Sequence, residues 1–322
     1  MKFVHSIFRN SSSEQIDWRE FFESIGPTLI HFTMSGCYHE PFTPSTLLPI
    51  LVQTCPNLLS LNLRWNQMIE STLSHLTTYS QIIHLHTLDL TGCQILDDTM
   101  LINIFIRQDQ QKFALKKLIL QACTNLTWMG LDTISVCLPN LTSLNLSRCI
   151  GLKTHSPQCF HSWSKLEYLD LSYLLTLTNQ DLLDIINHCH ELKMLIIDEC
   201  LNITDESLSR LTDRFEMLSL NNCSNLSRNF LLNLNEQCPN LHILSMNSIT
   251  NLTDDCLVNW SMKPWIYLRE LSIDKYTCDR LEIFLNKHSN LKLLSLNGNL
   301  ISQKLEQENL ERKFSNIDFV FQ

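Results

Sequence analysis

Glycine is scarce in this chain, with six in 322 residues. That leaves no Gly-rich loop to cradle a phosphate, and no G-x-S-x-G nucleophile elbow occurs either. Basic runs are equally missing: no stretch of Lys and Arg exceeds two residues, and the formal net charge is −9. Nucleic-acid readers neutralise phosphates with clustered cations, so this composition argues against that class. No segment approaches the roughly 18 uninterrupted apolar residues of a membrane span. His5 and Arg9 interrupt the opening apolar stretch, which argues against a secretory leader and for a soluble intracellular protein.

What is present is a leucine frame. The pattern L-x-x-L-x-L-x-x-C/N runs twelve times, with first positions at Leu29, Leu58, Leu85, Leu115, Leu141, Leu166, Leu192, Phe215, Leu241, Leu268, Leu291 and Phe314. The intervals are 23 to 30 residues. Periods of this length mean stacked supersecondary units, each unable to bury its apolar face alone. Hydrophobic residues at 44% and charged residues at 18% suit a folded, core-forming chain. The expected architecture is an α/β leucine-rich-repeat solenoid over residues 29–322, a horseshoe with a parallel sheet on its concave face and helices on its convex face. Residues 1–28 are expected to form an N-terminal cap. Asp17 to Phe22 reads as the helix of a half-repeat, and Asn10 to Ser13 as a polar, disordered start.

The repeat from Leu192 illustrates the logic. Leu195 and Ile197 should point into the core, with Met194, Ile196 and Asp198 on the opposite face. Thr204 reads as a helix N-cap, with Asp205 and Glu206 in the first turn and Leu208 and Leu211 on the apolar side. Comparable starts recur at Thr178, Thr253 and Asp97, while Pro56, Pro139 and Pro239 mark where helices end.

Thirteen cysteines raise the question of a disulfide or metal framework. Their register answers it. Cys37, Cys93, Cys123, Cys149, Cys200 and Cys223 occupy the ninth frame position, and Cys55, Cys189 and Cys238 each lie three residues before a frame leucine. Residues placed by a repeat period are packing residues, and abundant free thiols suit a reducing compartment, cytoplasmic or nuclear. Among the sequons are those at Asn125, Asn140, Asn145, Asn202, Asn225 and Asn251, and five of these six also sit in register, so the frame itself generates them. His188-Cys189-His190 and Cys159-Phe160-His161 look ligand-like, but Cys189 is already explained by register, and no metal or cofactor is expected. No catalytic residues are expected, because Asp89 and Asp170 read as acids on a solvated wall.

The frame, the L/I-T-D and L-T-N helix starts and the CPNL junctions together resemble the cysteine-containing repeats of F-box/LRR proteins. The likeness is carried by LKMLIIDECLNITDESL, LTSLNLSRCIGL, FEMLSLNNCSNL and CPNLHILSMNSITNLTDDCL. It implies a substrate-recognition subunit of a cullin-RING, SCF-type ubiquitin ligase, working in ubiquitin-dependent protein catabolism, with a target protein on the concave face and the ligase adaptor as second partner. The 28 residues before Leu29 hold no recognisable F-box. The alternative is a repeat-only scaffold or inhibitor with no link to ubiquitylation.

Residues that the frame leaves free carry the candidate site. The position before the second frame leucine presents Tyr168, Met194, Met217 and Ile243 in four consecutive repeats, with Ile196 nearby and Asp170, Asp198 and Asn221 at the edges. At about 4.8 Å per strand the stripe spans roughly 15 Å. An apolar row with polar edges is the usual form of a protein-binding patch; the plainer alternative is that neighbouring side chains cover one another. Trp65 and Trp128, after their strands, read either as interface anchors or as caps over repeat edges. If the register holds, Leu195→Ala costs about 2–5 kcal/mol in chemical denaturation. An unchanged transition would place Leu195 outside the core.

Overall fold

A computed structural model of the chain describes residues 17–36, 43–66, 75–76, 80–106, 112–153, 157–274, 278–296 and 304–321. The run Asn10 to Ser13 and the frame cysteine Cys37 lie outside these residues. The chain divides into two compact units, Met1–Leu166 with His188–His190, and Glu167–Asn187 with Glu191–Gln322.

The first unit holds β1 (His31–Thr33), β2 (Ser60–Asn62), β3 (Thr87–Asp89), β4 (Lys117–Ile119) and β5 (Ser143–Asn145), each parallel to the next. The second holds β6 (Tyr168–Asp170), β7 (Met194–Ile196), β8 (Met217–Ser219), β9 (Ile243–Met246), β10 (Glu270–Ile273), β11 (Leu293–Leu296) and β12 (Asp318–Phe321), again parallel and in chain order. Helices alternate with the strands, so each unit is an α/β leucine-rich-repeat array. The frame explains the register. Leu61 lies opposite Leu88, Leu88 opposite Leu118, and Leu195 opposite Leu218. Leu88, Leu90, Leu195 and Ile197 are fully buried, whereas Met194, Ile196 and Asp198 on the other face are half-buried.

Every frame but the last falls where the spacing predicts. In the last repeat Leu294 pairs with Phe319, which moves the first frame position from Phe314 to Asn316. Phe314 instead follows the helix Lys304–Lys313 and stays buried, its N–H donating to the Leu310 carbonyl. Phe319 and Phe321 alternate with the exposed Asp318 and Val320, and that two-residue period sets the strand.

Helix starts follow the capping chemistry. Asp17 caps the helix Trp18–Ile25, which buries Trp18 and Phe22, and Asp97 accepts from the Met100 N–H. Thr204 caps Asp205–Leu208 through the Glu206 N–H, but that helix is one turn long, so Leu211 is buried beyond its end and not on it. Thr253 precedes the helix Asp254–Met262 without a side-chain capping bond.

Where each strand ends, one tight turn recurs. Gly36, Trp65, Gly92, Ala122, Arg148, Tyr173, Glu199, Asn222 and Ser248, all at the eighth frame position, have φ between 56° and 72°. The ninth residue donates back to the sixth, as Cys93 to Leu90 and Cys200 to Ile197, which with positive φ at the third residue is the pattern of a type II turn. Most of these residues are not glycine and adopt the conformation against its intrinsic cost. What holds them is the next repeat. The Trp65 N–H donates to the Thr91 carbonyl at 2.7 Å, Tyr173 to Asp198 at 2.8 Å and Glu199 to Asn221 at 2.8 Å.

Beneath the turn, the ninth-position thiol donates to the sixth carbonyl of the preceding repeat. Cys123 reaches Leu90 at 3.2 Å, Cys149 reaches Leu120 at 2.9 Å and Cys223 reaches Ile197 at 3.2 Å. Asn66 does the same with its amide, bonding Met34 and Leu63. The sequon asparagines Asn125, Asn202, Asn225 and Asn251 likewise give their side-chain N–H groups to carbonyls of the repeat before, so the nitrogen a glycan would need is already engaged.

Gly92 is needed twice over. Its φ is +72°, and a methyl group there would run into the Trp65 indole, which lies across it. Gly92→Ala should therefore lower stability by at least about 1–2 kcal/mol in urea denaturation, with part of the loss recovered in a Trp65→Ala background. Equal losses in both backgrounds would show that the indole contact contributes nothing.

Candidate functional site

The expected stripe assembles in the second unit. Tyr168 pairs with Met194, Met194 with Met217, and Met217 with Ile243, so the four side chains stand on one face in adjacent strands. Each is half-buried. Ile196 follows Met194 on the same face of β7 and pairs with Ser219. The row then changes character, because Ile243 pairs with Glu270.

Along the trailing edge of the strands the polar residues form a ladder. Asp198 accepts from the Ser219 hydroxyl at 2.7 Å, the Asn221 backbone N–H at 2.9 Å and the Asn221 amide at 3.0 Å. Asn221 in turn accepts from the Ser245 hydroxyl and from the Asn247 backbone and amide N–H groups, at 2.8 to 2.9 Å. Asn247 donates onward to the Ser272 hydroxyl at 2.8 Å. The hydrogen bonds onto Asp198 come from neutral groups, so they satisfy its oxygens and leave the carboxylate charge uncancelled at the edge of the stripe.

Asp170 is not the solvated acid that the sequence suggested. It is 8% exposed and accepts from both the backbone N–H and the hydroxyl of Ser172, at 3.0 and 2.7 Å. Asp89 is 5% exposed, with Thr91 as the equivalent donor and Asn62 as a further one. Short side chains at this position fold back onto their own turn, which the exposed-face pattern by itself does not reveal. Burial, reinforced by the Asp170 and Asp198 charges, pushes the Tyr168 phenol up to about 12, so it remains a neutral hydrogen-bonding group.

The tryptophans belong to the first unit and not to the stripe. Trp65 is 46% exposed and rests on Gly92. Trp128 opens the helix Trp128–Ser135 but is only 4% exposed, packed edge-on against Phe160 with ring centroids 6.0 Å apart. It is a core residue, because its side of the first helical turn faces inward while Met129 beside it faces out, and it offers no surface to a partner.

The two ligand-like motifs do meet, which spacing did not reveal. The rings of His161 and His188 lie 3.8 Å apart. In the same two motifs Cys159 and Cys189 are fully buried, and Cys189 donates to the Trp163 carbonyl. Desolvation, then Asp132 and Cys189, pushes the Cys159 thiol far up, so it stays protonated. Among the described residues, no group of three or more His, Cys, Asp and Glu side chains could hold a metal ion. Nor is any described helix long and apolar enough to cross a membrane.

One groove lies outside the expected site. At the leading edge of the strands, a cavity of about 530 Å³ is lined by Lys193, Asp213, Arg214, Glu216, Asn240, His242 and Tyr267. Lys193 and Glu216 pair at 3.6 Å, and the His242 and Tyr267 rings stack at 5.7 Å. The second frame position, where Lys193, Glu216 and His242 fall, is the sequence signal that could have found it.

No protein-family model matches the chain. Among solved structures, Rad7 from yeast, crystallised in complex with Elc1, is similar with a TM-score of 0.53 and 15% identity, over 88% of this chain and 75% of that chain. Internalin C2 from Listeria monocytogenes gives a TM-score of 0.42 and 17% identity, over 79% of this chain and 94% of that one. The likeness to Rad7 is one of fold.

The buried thiols have a measurable consequence. Desolvation pushes Cys93, Cys223 and Cys238 from the ordinary 9.0 up to about 12. Between those values the unfolded chain loses thiol protons that the folded chain keeps, so stability is fully present below pH 9 and falls as pH rises towards 12. The urea midpoint should drop across this window, and less steeply in Cys223→Ala. An identical slope in the variant would mean that Cys223 ionises as easily folded as unfolded.

Proposed function

We propose that the chain is a protein-binding leucine-rich-repeat module that holds its target on the open face of the second unit's sheet, across β6 to β9. The observation that carries this reading is the row Tyr168, Met194, Met217 and Ile243, one large half-buried apolar side chain per strand with polar residues along its edge. Such a row, broad and open, suits a protein surface better than a small molecule, which needs a concave site. Tyr168, Asp170, Met194, Ile196, Asp198, Met217, Asn221 and Ile243 form the contact zone, with Asp170 acting from beneath the surface. Trp65 is a separate exposed contact.

The finer assignment is target recognition for a cullin-RING, SCF-type ubiquitin ligase in a reducing compartment, the cytoplasm or nucleus. It is supported by the likeness of the cysteine-containing repeats to F-box/LRR proteins and by the fold shared with Rad7, which was solved with a protein partner. The second reading, a stand-alone scaffold or inhibitor, is favoured by one observation. The stretch from Asp17 to Phe22 caps and begins the helix Trp18–Ile25, which packs into the array as part of a repeat.

The experiment is affinity purification of the tagged chain beside its Met194→Lys, Met217→Lys double variant, with circular dichroism as the folding control. A target bound through the stripe is retained by the parent and at least tenfold depleted in the variant, since burying each methionine contributes about 1.5–3 kcal/mol and about 1.4 kcal/mol is a factor of ten. Equal retention by a folded variant would overturn the stripe as the binding surface. Co-purification of the ligase adaptor supports the receptor assignment; target binding without adaptor supports the stand-alone module.

A further inference from the structure

We infer that the occupant of the stripe is an amphipathic helix laid across β6 to β9, with its apolar ridge on Tyr168, Met194, Met217 and Ile243 and a basic flank along the trailing edge of the strands. This rests on the reading of the stripe as a protein-binding surface and names the chemistry of the partner.

Three features of the face select a helix. The first is spacing. Neighbouring strands are about 4.8 Å apart, and ridge residues of a helix three or four apart advance about 4.5–6 Å at 1.5 Å per residue. One ridge side chain therefore meets one strand, and about ten residues of helix cover the three strand steps from Tyr168 to Ile243. An extended segment presents same-side residues about every 6.6 Å and falls out of step within two strands.

The second is the backbone. The strands β7, β8 and β9 are hydrogen-bonded on both sides, so no free edge within the stripe invites an added strand. The third is relief. Beside Met217 and Ile243 stand Ser219 and Ser245, whereas Ile196 stands beside Met194, so the surface is lowered along the β8 and β9 part of the ridge and leaves room there for a second row of helix side chains.

Charge orients the helix. Among the described residues from the second half of each strand through the turn beyond it, in β6 to β10, the charged ones are Asp170, Asp198, Glu199 and Asp274, all acidic. The leading side alternates instead, with Glu167, Lys193, Glu216, His242 and Arg269 at equivalent positions and Lys193 paired to Glu216. Among the described residues the trailing side has one sign, and Asp198 contributes a charge there that its neutral donors leave uncancelled. Lysine or arginine on the flank of the helix facing that side complements it.

The test uses the full chain and three labelled synthetic peptides, read by fluorescence anisotropy. The first carries leucines on one helical ridge and lysines along one flank; the second has the same composition with two prolines in the ridge; the third replaces the lysines with glutamates. The first should bind saturably, at least about tenfold more tightly than the other two, and weaken with added salt. Met217→Lys should abolish its binding, and Asp198→Asn should weaken it severalfold, with Glu199→Gln as the second variant if Asp198→Asn unfolds. Equal binding of the proline peptide, or no binding of the first, overturns the helical occupant. Equal binding of the glutamate peptide overturns the basic flank. None of these outcomes bears on target retention by the Met194→Lys, Met217→Lys variant, so the two readings fail separately.

Discussion

The hydrogen bond from the turn of one repeat to the turn of the next is the interaction on which the rest of this structure depends. The eighth-position residue, held at positive φ, donates its N–H to a carbonyl of the neighbouring turn in repeat after repeat. The chain accepts that conformation at alanine, tyrosine, glutamate and tryptophan as well as at glycine. With the turn held, the ninth-position thiol lies beneath it and gives a second hydrogen bond to a sixth-position carbonyl that already accepts from its own turn. Strands then align at a constant offset, and the frame leucines meet leucines. Removing one bond would leave a buried polar group and release a strained residue together, so the turns act as a unit and not as separate contributions.

The same polar residues serve two ends. Asp198 and Asn221 tie adjacent repeats through hydroxyl, amide and backbone donors, and they also form the edge of the apolar stripe. If a partner binds there, as proposed, it meets an edge whose polar side chains are already tied by hydrogen bonds, which limits the ordering cost of association. The same arrangement would couple the proposed recognition to stability. Substitutions at the ladder loosen the stack as well as the contact, whereas the methionines of the stripe project from the sheet and can change with less structural consequence.

Much of the fold was legible in the residues. Leucine periodicity gave the strand register in every repeat but the last, where the alternation of Phe319, Val320 and Phe321 outweighed the spacing from Phe314. Cys93, Cys123, Cys149, Cys189, Cys200 and Cys223, all in register, proved to be buried hydrogen-bond donors, and the sequon asparagines Asn125, Asn202, Asn225 and Asn251 proved to be bridges between repeats. The stripe itself could be read because a parallel array places equivalent positions side by side. Less legible was burial at the polar positions. Asp170 and Asp89 sit on the open face by pattern yet fold onto their own turns, and Trp128 looked like an edge residue but enters the core with its helix.

By itself, the sequence determined the repeat, its strand-helix alternation and the face on which each frame residue lies, because these follow from local periodicity and from chemistry within one repeat. The tertiary structure decided which free residues are presented. Whether a side chain at an open position stands out, as Met194 and Met217 do, or turns back, as Asp170 does, depends on donors and neighbours supplied by adjacent turns and strands. So does the meeting of His161 with His188 and the groove beside His242 and Tyr267. These are long-range placements, and no period along the chain encodes the distance between side chains that only stacking brings together.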